Sequence, residues 1–293
     1  MPKPKGKKKG KKKSHTLTIT VLVVAAVAIV VGAYLFTLGG GGSPGETGMV
    51  PSSVLSQLSQ FANSTYGTPS TSDIHPYSGT PLMDGDKVVV LFISGDYCPY
   101  CAAERWPLVL ALMRFGTFNS LSYTYSNSYI EFPNTPSFSF DNYSYSSPYI
   151  SLQAYEFEDR NGNVLDTVPD NYSVLWKGLP SNGTVPFLDI GNRYVVAGAQ
   201  YGPSALAGMT QAQVVRAIVS GGSQGKTIMA AADGITEALC NVTGQEPASV
   251  CTQIHTSSSG NFRTGIPSST ADAWATVQYA QMEWMRKISV PIR

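Results

Sequence analysis

The 293-residue chain has a formal net charge of +1, yet eight of its 20 Lys and Arg residues lie within the first thirteen positions. The rest of the chain carries 12 basic against 19 acidic residues, a net charge near −7. Nucleic acid is therefore excluded as a partner, because binding it requires a basic stripe. The roughly 240 residues after the N-terminal segments are enough for one domain with a large insertion or an appendage.

An uncharged apolar segment at residues 17–38 follows the Lys-rich residues 1–16. Its length of about 22 residues suits a bilayer core, which a helix of roughly 20 residues crosses, and exceeds the apolar part of a cleaved signal peptide. Lysines ahead of a spanning helix hold that end in the cytoplasm. The sequence predicts a cytoplasmic tail, one transmembrane helix in the lipid bilayer, a Gly-rich tether at residues 39–50 and a domain outside the cell membrane.

The first elements after the tether are a helix and a strand. A helical pattern covers residues 52–64, and the β-branched apolar run Asp86–Ser94 is typical of a buried strand. The turn "GDYC", residues 95–98, comes next. Residues 99–116 are then predicted as a helix, with Pro99 in its favoured first-turn position.

Residues 117–150 are rich in Tyr, Ser, Asn and Phe, and we expect them to form an insertion. A strand is predicted at residues 120–128, followed by an ordered but irregular segment, because aromatic residues are too frequent for a solvated tract. Alternating polar and apolar residues then predict another strand at residues 149–159.

A hairpin is predicted at residues 184–201, and a helix opening with a capping box, Thr210 and Gln213, follows it. Two further helical stretches precede the C-terminus, the second at residues 269–288. Strand, crossover helix, strand, antiparallel hairpin and closing helix is the order of an α/β fold.

The four cysteines lie where disulfides form and persist, if the domain is outside the membrane. Proximity in sequence suggests the pairs Cys98–Cys101 and Cys240–Cys251. We expect the second pair to be a structural disulfide, and a relay pair that passes electrons to the first is the alternative. No cofactor and no metal site is predicted.

The motif C-P-Y-C lies where the predicted strand gives way to a helix. Cys98 is at the helix start, where free N–H groups and the helix dipole favour a thiolate, which is the nucleophile of disulfide exchange. Cys101 lies one turn further, on the apolar stripe with Leu108 and Leu112, and is expected to be less exposed. This arrangement suits an outer attacking sulfur and an inner resolving sulfur.

Three other interpretations of the motif stay open. A zinc site would need a second close pair, but Cys240 and Cys251 have ten residues between them. A purely structural Cys98–Cys101 disulfide would close too short a loop to restrain the unfolded chain much. The third interpretation is two ordinary buried thiols.

A second feature, "TVP" at Thr184–Pro186, places a proline at the start of a later strand, where its missing N–H is tolerated. With the C-x-x-C helix, the sequence now resembles the thioredoxin superfamily. "CPYC" with "TVP" is similar to glutaredoxins, and the location outside the membrane is similar to DsbA-type oxidoreductases. The resemblance implies that Cys98 is the nucleophile, that Cys101 is the resolving thiol, and that a cis Val185–Pro186 bond binds substrate backbone. The other substrate-binding residues it implies are Tyr97, Pro99 and Tyr100.

More closely, the chain resembles membrane-anchored, thioredoxin-like proteins of thermophilic archaea that carry a domain of unknown function. This resemblance implies fold and location rather than a reaction. The expected fold class is α/β, a thioredoxin-like fold with a Tyr/Ser-rich insertion and a C-terminal helical extension. The domain division is a tail at residues 1–16, a transmembrane helix at 17–38, a tether at 39–50, a thioredoxin-like domain at 51–224 with its insertion at about 117–150, and the extension at 225–293.

The sequence departs from the thioredoxin pattern near the cysteines. Tyr97 stands where thioredoxins usually have Trp, and Phe92 stands where the superfamily often keeps a buried acid. Asp96 or Glu104 could replace that acid, although both are expected to be solvated charges near the helix end.

Five Asn-x-Ser/Thr sequons are candidates for glycosylation of an outer surface. They begin at Asn63, Asn142, Asn171, Asn182 and Asn241.

The leading functional hypothesis is a tethered thiol–disulfide oxidoreductase whose partners are proteins with thiols or disulfides and a redox partner of unknown identity. The competing hypothesis is a non-catalytic, glycosylated cell-surface module braced by disulfides. A third is an accessory subunit that holds client proteins for glycan transfer.

Overall fold

The computed structural model describes residues 47–178 and 182–257. The predicted tail and transmembrane helix, most of the tether and the predicted helix at residues 269–288 lie outside these ranges. Within the described ranges, no helix is both long enough and apolar enough to cross a membrane.

The described residues form a mixed α/β fold, as the sequence predicts. Its strands are β1 (Gly48–Met49), β2 (His75–Pro76), β3 (Met83–Asp84), β4 (Lys87–Ser94), β5 (Thr117–Tyr125), β6 (Pro136–Ser146), β7 (Ile150–Glu156), β8 (Phe187–Ile190) and β9 (Tyr194–Ala197). Its helices are α1 (Ser52–Ser64), α2 (Pro99–Leu112), α3 (Asp170–Gly178), α4 (Gln211–Ser220), α5 (Ser223–Val242) and α6 (Ala248–Ser257), with a 3-10 turn at Pro203–Leu206.

The main sheet is centred on β4. Strand β7 pairs with β4 in parallel, β8 pairs with it antiparallel on the other side, and β9 continues the sheet as the hairpin partner of β8. Short strands β2 and β3 extend the edges next to β9 and β4. Residues Val88–Ser94 are all buried, since neighbours cover both faces of the central strand, which explains its continuous apolar run.

A second sheet has the order β1-β5-β6 and contains the predicted insertion. The expectation of an irregular segment after β5 was wrong, because β6 is an eleven-residue strand. Its pairing with β5 shifts register where Ser120 faces Ser144 but Ser122 faces Ser139, and Asn142 within that bulge has a φ of 53°. Aromatic residues occupy every second position on each side of the bulge, at Phe138 and Phe140 and then at Tyr143 and Tyr145. The bulge shifts this pattern by one residue, so a single alternation does not run through the whole strand.

Helix α2 lies in the centre of the protein. It packs against β6 on one side and α5 on the other, and its residues are buried from Cys101 to Leu112. A helix covered on several sides carries apolar residues around its circumference, as the run "PLVLAL" does here. Because α5 and β6 both pack on α2, the helix that carries the cysteines is part of the core.

The C-terminal helices are joined by a disulfide between Cys240 and Cys251, which confirms that predicted pair. Helix α4 begins with the predicted capping box of Thr210 and Gln213. The predicted domain boundary between residues 224 and 225 falls inside α5. Helices α3 and α6 were not among the predicted elements.

Candidate redox site

The paired cysteines lie at the junction of β4 and α2. Cys98 is the N-cap residue of the helix, with an extended backbone, and Pro99 occupies the first helical position. The backbone N–H of Cys101 donates to Cys98 Sγ at 3.2 Å, and that of Ala102 donates to the Cys98 carbonyl at 3.0 Å. The sulfur of Cys98 thus accepts one of the N–H groups that a helix start leaves without an intrahelical partner.

Both cysteines are present as thiols, so the expected Cys98–Cys101 disulfide is not formed in this structure. Cys98 is 7% exposed and Cys101 is 0% exposed. The order of exposure agrees with an outer and an inner sulfur. The exposed fraction of Cys98 is, however, low for the outer, attacking thiol that the sequence predicts.

The two thiols differ in their surroundings. Burial opposes ionisation of Cys98, but hydrogen bonds from Cys101 and the charge of Arg105 outweigh it and lower the pKa of the Cys98 thiol. Burial, together with the hydrogen bond to Cys98, raises the pKa of the Cys101 thiol well above its usual value. Cys98 is therefore the thiol of the pair that loses its proton more readily.

Gly95 allows the tight turn before the cysteines. A Cβ at this position would lie 2.6 Å from Cε1 of Tyr97, so a larger residue would displace the tyrosine ring from the turn. The backbone N–H of Cys98 donates to the Gly95 carbonyl at 3.1 Å. The turn thereby sets the position of Cys98 at the helix start.

The Thr184–Pro186 segment lies at the same end of the main sheet as this turn. Phe187 faces Ile93 in the antiparallel pairing of β8 with β4, so Pro186 falls opposite the last residue of β4. The Val185–Pro186 bond is cis, as the thioredoxin resemblance implies. The Gly198 N–H donates to the Pro186 carbonyl at 2.9 Å and holds the segment on the sheet.

Half-buried aromatic rings surround the cysteine turn. The Tyr97 ring lies 5.9 Å from that of Phe157, which lies 5.8 Å from that of Trp176 on α3. On the opposite side, the Tyr100 ring lies 6.3 Å from that of Phe132, in the loop between β5 and β6. The predicted substrate-binding tyrosines thus belong to an aromatic rim to which the insertion contributes Phe132.

Both acids named as replacements for the missing buried carboxyl are themselves buried, which corrects the expectation that they are solvated. Burial raises the pKa of Asp96 to about 7, with Arg105 acting in the opposite direction. Burial raises the pKa of Glu104 to about 8, although Glu104 Oε2 accepts from the backbone N–H of Gln200 at 2.9 Å.

Asp96 belongs to a buried ion cluster that the sequence did not reveal. Arg105, fully buried on α2, donates from Nε to Glu156 Oε1 at 2.8 Å and from Nη2 to Glu156 Oε2 at 2.5 Å. The same Nη2 lies 3.3 Å from Asp96 Oδ1. Ser94 Oγ donates to Glu156 at 2.6 Å, and Ser139 Oγ donates to Asp96 at 3.0 Å. The sequence hints at this cluster only through Arg105, a charged residue four positions after Cys101 in a largely apolar helix.

The sequons differ in accessibility. Asn142, Asn171 and Asn182 are exposed, whereas Asn241 is half-buried and its side-chain Nδ2 is inaccessible to solvent. Asn63 is exposed, and its Nδ2 donates to the carbonyls of Ser59 and Met113 at 2.9 and 3.1 Å. In the described part of the chain, no three His, Cys, Asp or Glu residues are grouped to hold a metal ion.

Fold and site together define the class: a mixed α/β protein that presents two inequivalent thiols at the start of a core helix. The chain belongs to the family called domain of unknown function DUF929, whose model matches residues 73–241. Neither a curated protein nor a solved structure gives a significant match to it.

Proposed function

We propose that the protein is a thiol–disulfide oxidoreductase of the thioredoxin superfamily, tethered to the cell membrane with its domain outside. The observation that carries the proposal is the unequal placement of two thiols at one helix start. Cys98 is the N-cap residue, is 7% exposed, and its sulfur accepts a backbone N–H at 3.2 Å, whereas Cys101 is fully buried. The pKa of Cys98 is lowered and that of Cys101 is raised, in keeping with this difference. Enzymes that exchange disulfides through a pair of cysteines use one activated thiolate as the nucleophile and a second thiol that resolves the mixed disulfide.

The arrangement of the main sheet supports the superfamily assignment. Its central strands run in the order β7-β4-β8-β9, with β7 parallel to β4 and the β8–β9 hairpin antiparallel to it. Helix α2 connects β4 to the following strands, and α4 follows the hairpin. The β5–β6 pair is then an insertion between the cysteine helix and β7, and α5 and α6 are additions after the closing helix.

In the proposed reaction, the Cys98 thiolate attacks one sulfur of a substrate disulfide, forming a mixed disulfide and releasing the other substrate sulfur as a thiolate. Cys101 then gives its proton to the first released substrate thiolate, directly or through water, and attacks Cys98 Sγ, which releases the second substrate thiolate. The substrate gains two electrons, its second thiolate takes a proton from solvent, and Cys98–Cys101 becomes a disulfide. The reverse sequence oxidises a substrate dithiol.

Replacing Cys101 with Ser tests this proposal. The variant should accumulate protein partners on Cys98 through a mixed disulfide, because the resolving thiol is missing. Non-reducing gels followed by mass spectrometry of the trapped species measure this. The matched Cys98→Ser variant should trap nothing, and an empty Cys101→Ser trap under mildly oxidising conditions would argue against catalysis.

The low exposure of Cys98, 7%, favours one competing function, a non-catalytic surface module in which the cysteines only brace the fold. The two functions differ in the reduction potential of the pair. A bracing disulfide should have a potential below about −300 mV, whereas that of an exchange catalyst lies in the range of about −270 to −120 mV.

A further inference from the structure

We propose that Arg105 is a positioning residue for thiol exchange: a fixed cation, anchored by Glu156 and Asp96, that stabilises the thiolate form of the Cys98–Cys101 pair. The inference rests on the proposed function, but it concerns a residue outside the C-x-x-C motif.

The helix brings Arg105 next to the cysteines. It follows Cys101 by four residues on α2, so the two side chains share one face of the helix. Long side chains on a helix lean back towards its N-terminus, which directs the Arg105 guanidinium towards the turn that contains Cys101. The guanidinium Nη2 lies 3.2 Å from Ser94 Oγ and 3.3 Å from Asp96 Oδ1, at the turn that leads into Cys98. Its charge favours the thiolate form of both cysteines, although burial raises the pKa of Cys101 overall.

The cation is held rigidly. Two hydrogen bonds to Glu156 and one from Nη2 to Ser94 Oγ, at 3.2 Å, fix the plane of the guanidinium. Burial alone would lower the pKa of Arg105, but Glu156 and Asp96 raise it above its usual value. Arginine keeps its proton at any physiological pH, so the cluster supplies a permanent charge.

The charged and polar groups around Arg105 determine how much of its positive charge is offset. Glu156 comes from β7 and Asp96 comes from the cysteine turn. Strand β6 contributes neutral donors, the Ser139 hydroxyl to Asp96 and the Phe140 N–H to Glu156 Oε1 at 3.3 Å. Behind them, Asp166 accepts from the Glu156 N–H at 2.9 Å. Arg105 Nη1 has no hydrogen-bond partner among the described residues, so one N–H pair of the guanidinium is not committed to the carboxylates. Burial raises the pKa of Asp96, so this carboxyl offsets the charge of Arg105 less completely than an exposed carboxylate would.

A burial-matched control is available in the same region. Arg114 follows α2, is also buried, and forms an ion pair with Asp233 at 2.7 Å, with further bonds to Thr236 and to backbone carbonyls. Replacing either arginine removes a buried ion pair and should destabilise the fold similarly. Of these two arginines, Arg105 lies at the cysteine turn and Arg114 does not. Comparing their variants therefore separates an effect on the thiolate from an effect on fold stability.

The experiment measures alkylation of Cys98 by iodoacetamide against pH in the full-length chain, resolved from Cys101 by mass spectrometry. Arg105→Met should raise the pH midpoint of the reaction and slow alkylation at pH 7 by about tenfold, since one pKa unit changes the thiolate fraction tenfold. Arg114→Met should leave the midpoint unchanged. Arg105→Lys, which keeps the charge, should restore most of the rate.

Glu156→Gln should shift the pH midpoint of Cys98 alkylation in the direction opposite to Arg105→Met. Loosening of the fold would not produce opposite shifts in the two variants. Glu156→Gln removes the anion that neutralises Arg105 and should lower the pH midpoint. Unchanged midpoints in Arg105→Met and Glu156→Gln would overturn the proposal, as would equal shifts in Arg105→Met and Arg114→Met. The midpoint does not depend on any substrate, so a failure of the proposed function would appear instead as an empty Cys101→Ser trap with these shifts intact.

Discussion

At the scale of single residues, the protein encloses several carboxyl groups that most folds leave in water. Asp96, Glu104 and Asp189 are all buried, and burial raises the pKa of each. Asp189 lies on β8, where its Oδ1 accepts from the Asn192 N–H at 2.6 Å. Burial disfavours the charged form of a carboxyl group, so each of these groups keeps its proton to a higher pH than it would in water.

Asp189 predicts an unusual dependence of stability on pH. Its pKa is about 7 in the folded protein against 3.8 in the unfolded chain, so the unfolded state binds fewer protons between these values. The free energy of unfolding should therefore fall as the pH rises from about 4 to about 7, by up to about 4 kcal/mol for this group. Chemical denaturation at pH 5 and pH 8 measures the change.

The control for this prediction compares two substitutions. Asp189→Asn removes the ionisable group and should reduce the loss of stability between pH 5 and pH 8. Asp86→Asn, at an exposed turn residue, should leave the loss as in the unsubstituted protein. Identical pH profiles for Asp189→Asn and the unsubstituted protein would contradict the account given for Asp189.

At the scale of elements, the loop between β5 and β6 contacts the cysteine turn. The Asn127 N–H donates to the Tyr97 carbonyl at 2.9 Å, and Phe132 packs against Tyr100. The tip of the loop is exposed, with Tyr129 94% accessible. The insertion therefore reaches the site through a few contacts at the base of its loop.

Removing one of those contacts should open the site. Phe132→Ala takes away the ring packed on Tyr100, so we expect Cys98 to react several-fold faster with a bulky maleimide while the pH midpoint of the reaction stays the same. Tyr129→Ala, on the same loop, should change neither quantity. A rate for Phe132→Ala equal to that of Tyr129→Ala would mean that the loop does not limit access.

At the scale of the whole molecule, the cysteine helix is held between the second sheet and the C-terminal helices. Ser137 Oγ on β6 donates to the Ala102 carbonyl at 3.0 Å, and Trp106 Nε1 donates to the Pro136 carbonyl at 2.9 Å. On the other side, α5 packs on α2 and is joined to α6 through the disulfide. The position of the two cysteines thus depends on segments far from them in the chain.

The Cys240–Cys251 disulfide should act on stability alone. Its sulfurs are buried and it closes a separation of eleven residues, so replacing both cysteines with Ser should lower the free energy of unfolding by about 3 kcal/mol. Denaturation measures the loss, and a disulfide-exchange assay on the same variant is expected to be unchanged. Loss of exchange in the folded variant would support a relay of electrons through this pair instead.

Features that depend on neighbours in the chain were determined by the sequence itself: the helix beginning at Pro99, the capping box at Thr210, the buried strand before the cysteines and the disulfide across a short loop. Their causes are turn chemistry, side-chain period and loop length, all of which act within a few residues. The prediction of an irregular segment at β6 was wrong for a related reason, because the bulge at Asn142 interrupts the alternation of aromatic and polar residues along the strand.

Only the tertiary structure decided the environment of the cysteines. Arg105 and Glu156 are 51 residues apart in the chain, and neither residue indicates by itself that it is buried with the other. Asp96 and Glu104 were read as solvated charges because a carboxylate is ordinarily exposed unless a partner arrives from elsewhere. A charge can remain in the core only when the fold supplies its partner, and no local pattern encodes which distant strand will do so.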